Sequence, residues 1–374
     1  MVERRTMKIM LHTDIYGGQG LSTICIGRGL LRHIGQFAAR TVKGRKAVVV
    51  SDSNVGNLHL EPVLASLRES GFSAESVCVP AGEDSKSLQM LSVLWNTFHG
   101  YGITRTDLVV ALGGGVVGDL TGFAAATWLR GVRVIQVPTS LLAFVDSSIG
   151  GKTGIDLPFG KNLAGAFYQP RWVIGDPDVL RTLPEAEFVQ GMAEVVKYGC
   201  IFDKAFFEDL EKAAAEGPLS DSFVEQMIAK SAGWKVDVVN RDEREGGVRT
   251  LLNFGHTLGH AAEKVLGYGY VPHGVAVGVG MVAAAKLSEK LGHAQVGLAE
   301  RIAALLKALK LPTSMDEIGN GLFTAETLFE AMLSDKKKLG ADLHFVLLHG
   351  IGEGFVAPLK PEFVRNLLPE ILSV

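Results

Sequence analysis

Residues 107–120, DLVVALGGGVVGDL, run from an unbroken apolar segment into a glycine-rich turn. A short apolar run without polar alternation predicts a strand covered on both faces, as in a parallel sheet. The glycines after it end the strand, and the sequence beyond them predicts a helix. Gly113, Gly115 and Gly118 fit the pattern G-x-G-x-x-G. Backbone without side chains there lets a pyrophosphate approach the helix N-terminus, where free N–H groups and the helix dipole favour an anion. Two features depart from a standard dinucleotide site. The motif is not in the first βα unit, and Pro138 and Thr139 stand where an acidic residue about 20 positions on is expected. A strand-to-helix turn with no ligand has the same glycine pattern.

Outward from this stretch, similar runs at Ser22–Ile26, Ala47–Ser51, Ser76–Pro80, Val132–Val137 and Trp172–Ile174 predict further strands. Amphipathic segments such as Leu58–Ser70 and Ser87–Tyr101 lie between them. Strand and helix in alternation predict an α/β domain with a central, mostly parallel sheet. From about Leu183 the pattern turns helical. Thr182 and Glu185 suggest a capping box, Pro184 a first-turn proline and Gly199 a stop. Helices are expected over 203–216, 221–239, 254–266, 275–291 and 298–309. Thr324 caps one running into Lys336–Lys338, Pro361 starts the last, and Leu343–Leu348 adds a strand. The expected division is a Rossmann-like domain over residues 1–182 and an all-α domain over 183–374.

A chain of 374 residues, 47% hydrophobic, has material for two cores. A net charge of −3 with 21% charged residues argues against a nucleic-acid partner, which needs a concentrated basic face. Three cysteines (Cys25, Cys78 and Cys200), none in a CxxC, fit a reducing compartment. The start MVERRTMKIML is followed by His12 and Asp14, so no signal-peptide core is read there. The most apolar run, Gly274–Ala285, is shorter than the roughly 20 residues of a membrane span and predicts a buried helix. These features together predict a cytoplasmic protein with no membrane partner.

The polar chemistry is concentrated in a few places. Arg249–Gly274, RTLLNFGHTLGHAAEKVLGYGYVPHG, holds His256 and His260 one helical turn apart, with Arg249, Asn253 and His273 close by. Imidazoles at i and i+4 share a helix face and can converge on one ion or one substrate. Polar residues on a half-buried helix show the same spacing. A catalytic metal site takes about three protein ligands. Glu194 in GMAEVVKYG, one turn before Lys197 and between flanking valines, is a candidate third ligand for that pair. A surface ion pair is the plainer reading. VDSSIGGKTGIDLPFGKN sets Asp146, Lys152, Lys161 and Asn162 among glycines, which suits a phosphate or carboxylate. Asp52 and Glu83 each follow a predicted strand and could meet a ribose at the strand ends.

The segments GGGVVGD, VDSSIGGKTGID, GKNLAGAFYQP, TLPEAEF, GMAEVVKYG, RDEREGGVRTLLNFGHTLGH and a late DKK together resemble the 3-dehydroquinate synthase family of sugar phosphate cyclases. The likeness runs in order from about Asp52 to Lys338. It implies a Rossmann-like domain, a helical domain and an active site in the cleft between them. By this resemblance the ligands of one divalent metal, Zn or Co, fall on Glu194, His256 and His273, and not on the His256–His260 pair. His260 then faces the substrate as a proton-transfer group. NAD contacts fall on Asp52, Asn54, Glu83, Lys86, the turn Gly115, Val116, Val117, Gly118 and Asp119, then Thr139, Ser140, Lys152, Lys161 and Thr182. Substrate contacts fall on Asp146, Lys152, Asn162, Lys197, Lys235, Arg249, Asn253, His260 and one of Lys336 and Lys337. Arg130 resembles a residue that reaches the partner subunit's phosphate site, which implies a homodimer.

The reaction implied converts 3-deoxy-arabino-heptulosonate 7-phosphate to 3-dehydroquinate and phosphate. It runs through transient oxidation by NAD, phosphate elimination, re-reduction and an intramolecular aldol closure. Two positions depart from the family pattern: Val275 stands at a commonly acidic position after His273, and Thr139-Ser140 replaces a threonine pair. The first bears on how His273 is supported. Sister cyclases making an amino-dehydroquinate, a valiolone or an inosose resemble the family in the same metal and NAD motifs. Arg249 and Asn253 favour a carboxylate-bearing substrate. A metal-dependent polyol dehydrogenase has no reason to hold Lys152, Lys197, Lys235 and Arg249 together.

Overall fold

The computed structural model describes residues 8–18, 20–267, 269–319, 321–335 and 342–372. Lys336 and Lys337 lie outside the described residues. The chain forms two compact units, one of residues up to Phe188 with Glu225–Arg244, the other of Val189–Val224 with Glu245 onward. A single cut near residue 183 therefore does not describe them, because the stretch Glu225–Arg244 packs with the α/β unit. Polar contacts tie that stretch there. Asn240 accepts from Tyr16 N and donates to Asp14 O, Arg28 and Lys8 pair with Glu225, and Lys235 pairs with Asp146.

In the first unit the elements are β1 (Lys8–Gly17), β2 (Gly20–Arg28), α1 (Ile34–Thr41), β3 (Lys46–Asp52), α2 (Ser53–Glu69), β4 (Ser73–Val79), α3 (Leu88–Gly100), β5 (Leu108–Gly113), α4 (Gly115–Thr127), β6 (Arg133–Pro138), β7 (Lys152–Leu157), β8 (Gly160–Phe167) and β9 (Trp172–Gly175). Seven strands form one sheet in the order β1-β2-β9-β6-β5-β3-β4, parallel except where β1 pairs β2. The Val and Ile runs are buried along β3 and β5, as their lack of alternation predicts. From β3 the chain moves outward to β4 and then crosses back to β5 on the other side of β3. The β3/β5 junction is thus the switch point of the sheet, and ligands of open α/β sheets bind beyond the strand C-termini at such a point. Asp52 ends β3 and Gly113 ends β5.

Three features went unread in the sequence. The half-exposed edge strand β1 has no clean alternation to show. The glycine and lysine stretch 152–167 is an antiparallel hairpin, β7–β8, to which the sequence reading assigned no strands. Leu343–Leu348 is a strand as expected, but it needs Gly354–Leu359 as its antiparallel partner.

The elements that follow are α5 (Glu185–Phe202), α6 (Lys204–Glu216), α7 (Asp221–Arg241), α8 (His256–Leu266), α9 (His273–Lys290), α10 (Leu298–Ala308), α11 (Met315–Gly319), α12 (Ala325–Asp335), the hairpin β10 (Leu343–Leu348) and β11 (Gly354–Leu359), and α13 (Pro361–Leu372). The core of the second unit gathers Leu258, Ala262, Leu287, Leu328, Phe345 and Leu368 from α8, α9, α12, β10 and α13. Gly199 does not stop α5, which runs on to Phe202. A side chain at Gly199 would press on Phe207 of α6, so the glycine serves close packing and not termination. Thr182, expected to cap α5, lies three residues before that helix begins at Glu185. Thr182 ends a 3-10 turn, donates to Val179 O at 2.8 Å and meets His59 Nε2 at 2.8 Å. Thr324 does cap α12, accepting from Thr327 N at 3.0 Å. Among the described residues no helix is long and apolar enough to cross a membrane.

Candidate active site

The candidate residues gather in both units. In the first unit, α4 starts at the glycine turn with no side-chain cap on its N-terminus. Its first N–H groups are therefore available to an anion. A Cβ at Gly115 would stand 3.1 Å from Ser147 Oγ, and one at Gly118 would stand 2.9 Å from Gln136 Oε1. Gly118 thus lets α4 lie against β6, whose Gln136 also donates to Gly118 O at 3.0 Å. Val117 is core, buried against β5. Thr139 N ties the end of β6 back to Gly113 O at 3.0 Å, and Ser140 Oγ accepts from Ala143 N at 3.3 Å. Asp52, at the neighbouring strand end, accepts from Asn54 N and Val55 N with one oxygen, Oδ1.

Lys86 is the hub of this cluster. Its Nζ meets Asp119 Oδ2 at 3.0 Å, Asn162 Oδ1 at 2.5 Å and Glu83 Oε1 at 3.7 Å. Lys161 reaches Glu83 at 4.0 Å. Burial works against the charge on Lys86, but Asp119 first, then Glu83 and Asp156, hold its pKa above the ordinary lysine value. Asn162 takes a left-handed conformation (φ 56°), with its N–H donated to Asp156 Oδ1 at 2.7 Å. Asp146 lies in a π-turn over residues 143–147 and pairs with Lys235. Lys152 opens β7, exposed. Leu129 and Arg130 have φ of 50° and 64°, two successive non-glycine residues in the left-handed region. Such strain costs about 1–3 kcal/mol per residue and persists where the surroundings impose it. Trp128 Nε1 to Ile103 O at 3.0 Å and Arg105 Nε to Leu129 O at 2.8 Å pin this turn.

In the second unit, α5, α8 and α9 converge because glycines stand where their backbones meet. A side chain at Gly274 would run into Gln190 O of α5, and one at Gly280 into Gly255 O beside α8. One at Gly259 would stand 2.9 Å from Ala276 O. Gly255 itself is left-handed (φ 80°) and starts α8 two residues later than the sequence suggested. Gly280→Ala should accordingly destabilise by about 1–3 kcal/mol, the cost of overpacking. Gly233→Ala, where a new Cβ on α7 meets nothing within 4 Å, should stabilise by up to about 1 kcal/mol. Urea midpoints of the two variants check the contrast, and equal shifts would refute it.

This packing gathers Glu194 of α5, His256 and His260 of α8, and His273 of α9. The ligand nitrogens of the three histidines lie within 4.8 Å of one another. Glu194 is 0% exposed, with Oε1 at 3.6 Å from His256 Nε2 and 3.8 Å from His273 Nε2. Neither of its oxygens makes a hydrogen bond to a described residue, and its close neighbours are these rings and the ammonium of Lys197, 1% exposed. Two ligand atoms on one tetrahedral ion with bonds of about 2.1 Å lie roughly 3.4 Å apart. The Glu194–imidazole spacings are close to that and too long for hydrogen bonds. A buried carboxylate facing two imidazole nitrogens at this spacing fits a divalent cation. His260 is the exposed member of the group. Burial, then the nearby charges of Lys197, His260 and His273, hold the His256 pKa well below the ordinary value, so it is a neutral imidazole ready to ligate. For His273, partial burial is outweighed by Glu263 and then Glu194, and its pKa lies above ordinary.

Arg249 is 1% exposed on the 3-10 turn Val248–Asn253, so it is no solvated loop charge. Asn253 Nδ2 donates to Glu245 Oε1 at 2.9 Å. Sequence reasoning overlooked Glu263, whose Oε1 is 3.6 Å from His273 Nδ1. Its signal was present, since His256, His260 and Glu263 stand at i, i+4 and i+7 of one helix.

Residues 76–190 match the family model described as 3-dehydroquinate synthase N-terminal, and residues 191–338 match 3-dehydroquinate synthase C-terminal. A 3-dehydroquinate synthase of Geobacter metallireducens is 48% identical over 339 residues, covering 90% of this chain and 93% of that protein. Among solved structures, 2-deoxy-scyllo-inosose synthase complexed with carbaglucose-6-phosphate, NAD+ and Co2+ superposes with a TM-score of 0.84 at 25% identity, covering 96% of this chain and 99% of the other. The 2-epi-5-epi-valiolone synthase of Streptomyces hygroscopicus, with NAD+ and Zn2+ bound, has the same fold at a TM-score of 0.82 and 22% identity, covering 93% and 96%.

Proposed function

The chain belongs to the 3-dehydroquinate synthase family, and on that premise we propose that it converts 3-deoxy-arabino-heptulosonate 7-phosphate to 3-dehydroquinate and phosphate. The observation that carries the reading is the buried Glu194 facing His256 and His273 beside Lys197. When bound, NAD supplies a hydride acceptor that returns its hydride, and a divalent ion supplies Lewis acidity toward the substrate alcohol.

Glu194, His256 and His273 hold the ion, Zn or Co. The turn Gly115–Asp119 and the capless end of α4 receive the dinucleotide pyrophosphate, and Asp52 at the switch point faces the ribose. Asn54, Glu83, Lys86, Thr139, Ser140, Lys161 and Thr182 complete the cofactor contacts. Arg249 and Asn253 take the substrate carboxylate. Lys152, Lys197, Lys235 and Asn162 take its remaining oxygens and the phosphate, with Asp146 orienting Lys235. His260, exposed beside the ligand set, moves the proton that departs when the hydroxyl is oxidised. Phosphate release from the heptulosonate phosphate with NAD and Zn2+ present, without net NADH, tests the reaction. Net NADH accumulation without phosphate release would overturn it.

The working form in this reading is a cytoplasmic homodimer, in which Arg130 serves the phosphate site of the other subunit. The pinned, left-handed turn that displays Arg130 supports a placed role for it. Mixing inactive Arg130→Ala with inactive Lys152→Ala protein should recover activity, up to about a quarter of wild type from the one intact site in each mixed dimer. Exchange proven by mass spectrometry without recovery would remove the trans role.

A further inference from the structure

A metal-bound imidazole needs its second nitrogen held, because that partner fixes both ring orientation and tautomer. Val275 offers no acceptor after His273. Glu263 does so from another helix. It is 3% exposed on α8, and a carboxylate so buried needs a partner to offset its lost hydration. Its Oε1 is 3.6 Å from His273 Nδ1, while Nε2 of the same ring faces Glu194 Oε1 at 3.8 Å. The imidazole is bracketed by carboxylates on opposite nitrogens. With an ion held between Glu194 and Nε2, the ring proton stands on Nδ1, where the Glu263 carboxylate can only accept it.

We propose that Glu263 is the positioning residue for His273, orienting its ring and setting the Nε2-ligating tautomer. The proposal rests on the ligand reading of the preceding subsection. It places the support for a ligand of α9 on α8, the helix that carries His256 and His260. The two atoms stand 3.6 Å apart, which places the carboxylate on the Nδ1 side of the ring. In this role Glu263 acts on the ion through His273.

Glu263→Gln keeps the volume and removes the charge. Zn2+ affinity, read by competition with a chromogenic chelator, should fall about 10–100-fold. The visible spectrum of the Co2+-loaded protein should shift, while NAD affinity and the Tm of the metal-free chain stay at wild type. In a His273→Ala background the same substitution should cost no further Zn2+ affinity, since the two act as one unit. Wild-type Zn2+ affinity in Glu263→Gln, or an equal loss with and without His273, would overturn the proposal. So would a lowered metal-free Tm with unchanged Co2+ spectrum, which marks a purely structural carboxylate. Wild-type Zn2+ affinity in His256→Ala would instead bring down the ligand reading, and this inference with it. Loss of Zn2+ in His256→Ala beside full affinity in Glu263→Gln would bring down this inference alone.

Discussion

Purified His256→Ala protein is expected to lose its divalent metal and at least about a thousandfold in turnover, while His260→Ala keeps its metal and loses rate alone. The first magnitude follows because Lewis-acid stabilisation of developing charge is worth several kcal/mol, and about 1.4 kcal/mol is tenfold. The second follows because general acid–base catalysis contributes roughly a hundred- to ten-thousandfold. The two histidines share one cluster, and they differ in burial and in what they face. His256 lies 3.6 Å from the buried Glu194 carboxylate and is held neutral, whereas His260 is exposed. Metal content by elemental analysis, measured beside kcat, decides between them. Full metal loading in both variants would refute the ligand assignment, and metal loss in both would return His260 to the ligand set.

Arg249→Lys should lower kcat/KM by roughly one to two orders of magnitude with bound metal and NAD unchanged. A bidentate guanidinium–carboxylate contact is worth about 1.5–3 kcal/mol, and lysine cannot reproduce its planar fork. The competing account leaves Arg249 among the acidic residues Asp242, Glu243 and Glu245 of the preceding loop. Of these, Glu243 accepts from Gly18 N at 3.0 Å and Gln169 Nε2 at 3.1 Å, and Glu245 accepts from Asn253 at 2.9 Å, so the loop is tied to its surroundings whichever account holds. A guanidinium 1% exposed was also not what an acidic surface loop implied. Comparison with a sugar phosphate lacking the carboxylate completes the test. Near-equal wild-type rates on the two substrates would remove the carboxylate role, and with it the main reason to place this chain apart from its sister cyclases.

Much of the candidate site could be read from sequence because its signals are local. The glycines after β5, the HxxxH spacing and the Glu194–Lys197 turn are each contained within one element and its flank. Glu263 was legible in the same way, at helical spacing from His260, and was overlooked because nothing in sequence says which residue a helix face meets. The hairpin 152–167 went unread because glycine and lysine content describes a loop and a tight hairpin equally well. Gly199 was misread because a glycine at a helix end and one under a crossing helix look alike in one dimension.

The sequence by itself determined the alternation of buried strands and amphipathic helices, and hence the α/β and helical parts. It also determined the inventory of candidate ligands, lysines and glycines. Those depend on residue type and on periodicity over a few neighbours. Only the tertiary structure decided that β5 lies beside β3, bringing Gly113 to the strand end next to Asp52. Only it decided that α7 joins the α/β unit, and that Glu194, His256, His273 and Glu263 meet. Those outcomes rest on contacts between segments far apart in the chain, such as Gly274 against Gln190 and Gly280 against Gly255. The closeness of such approaches is set by what packs around both partners, and no local window of sequence contains that information.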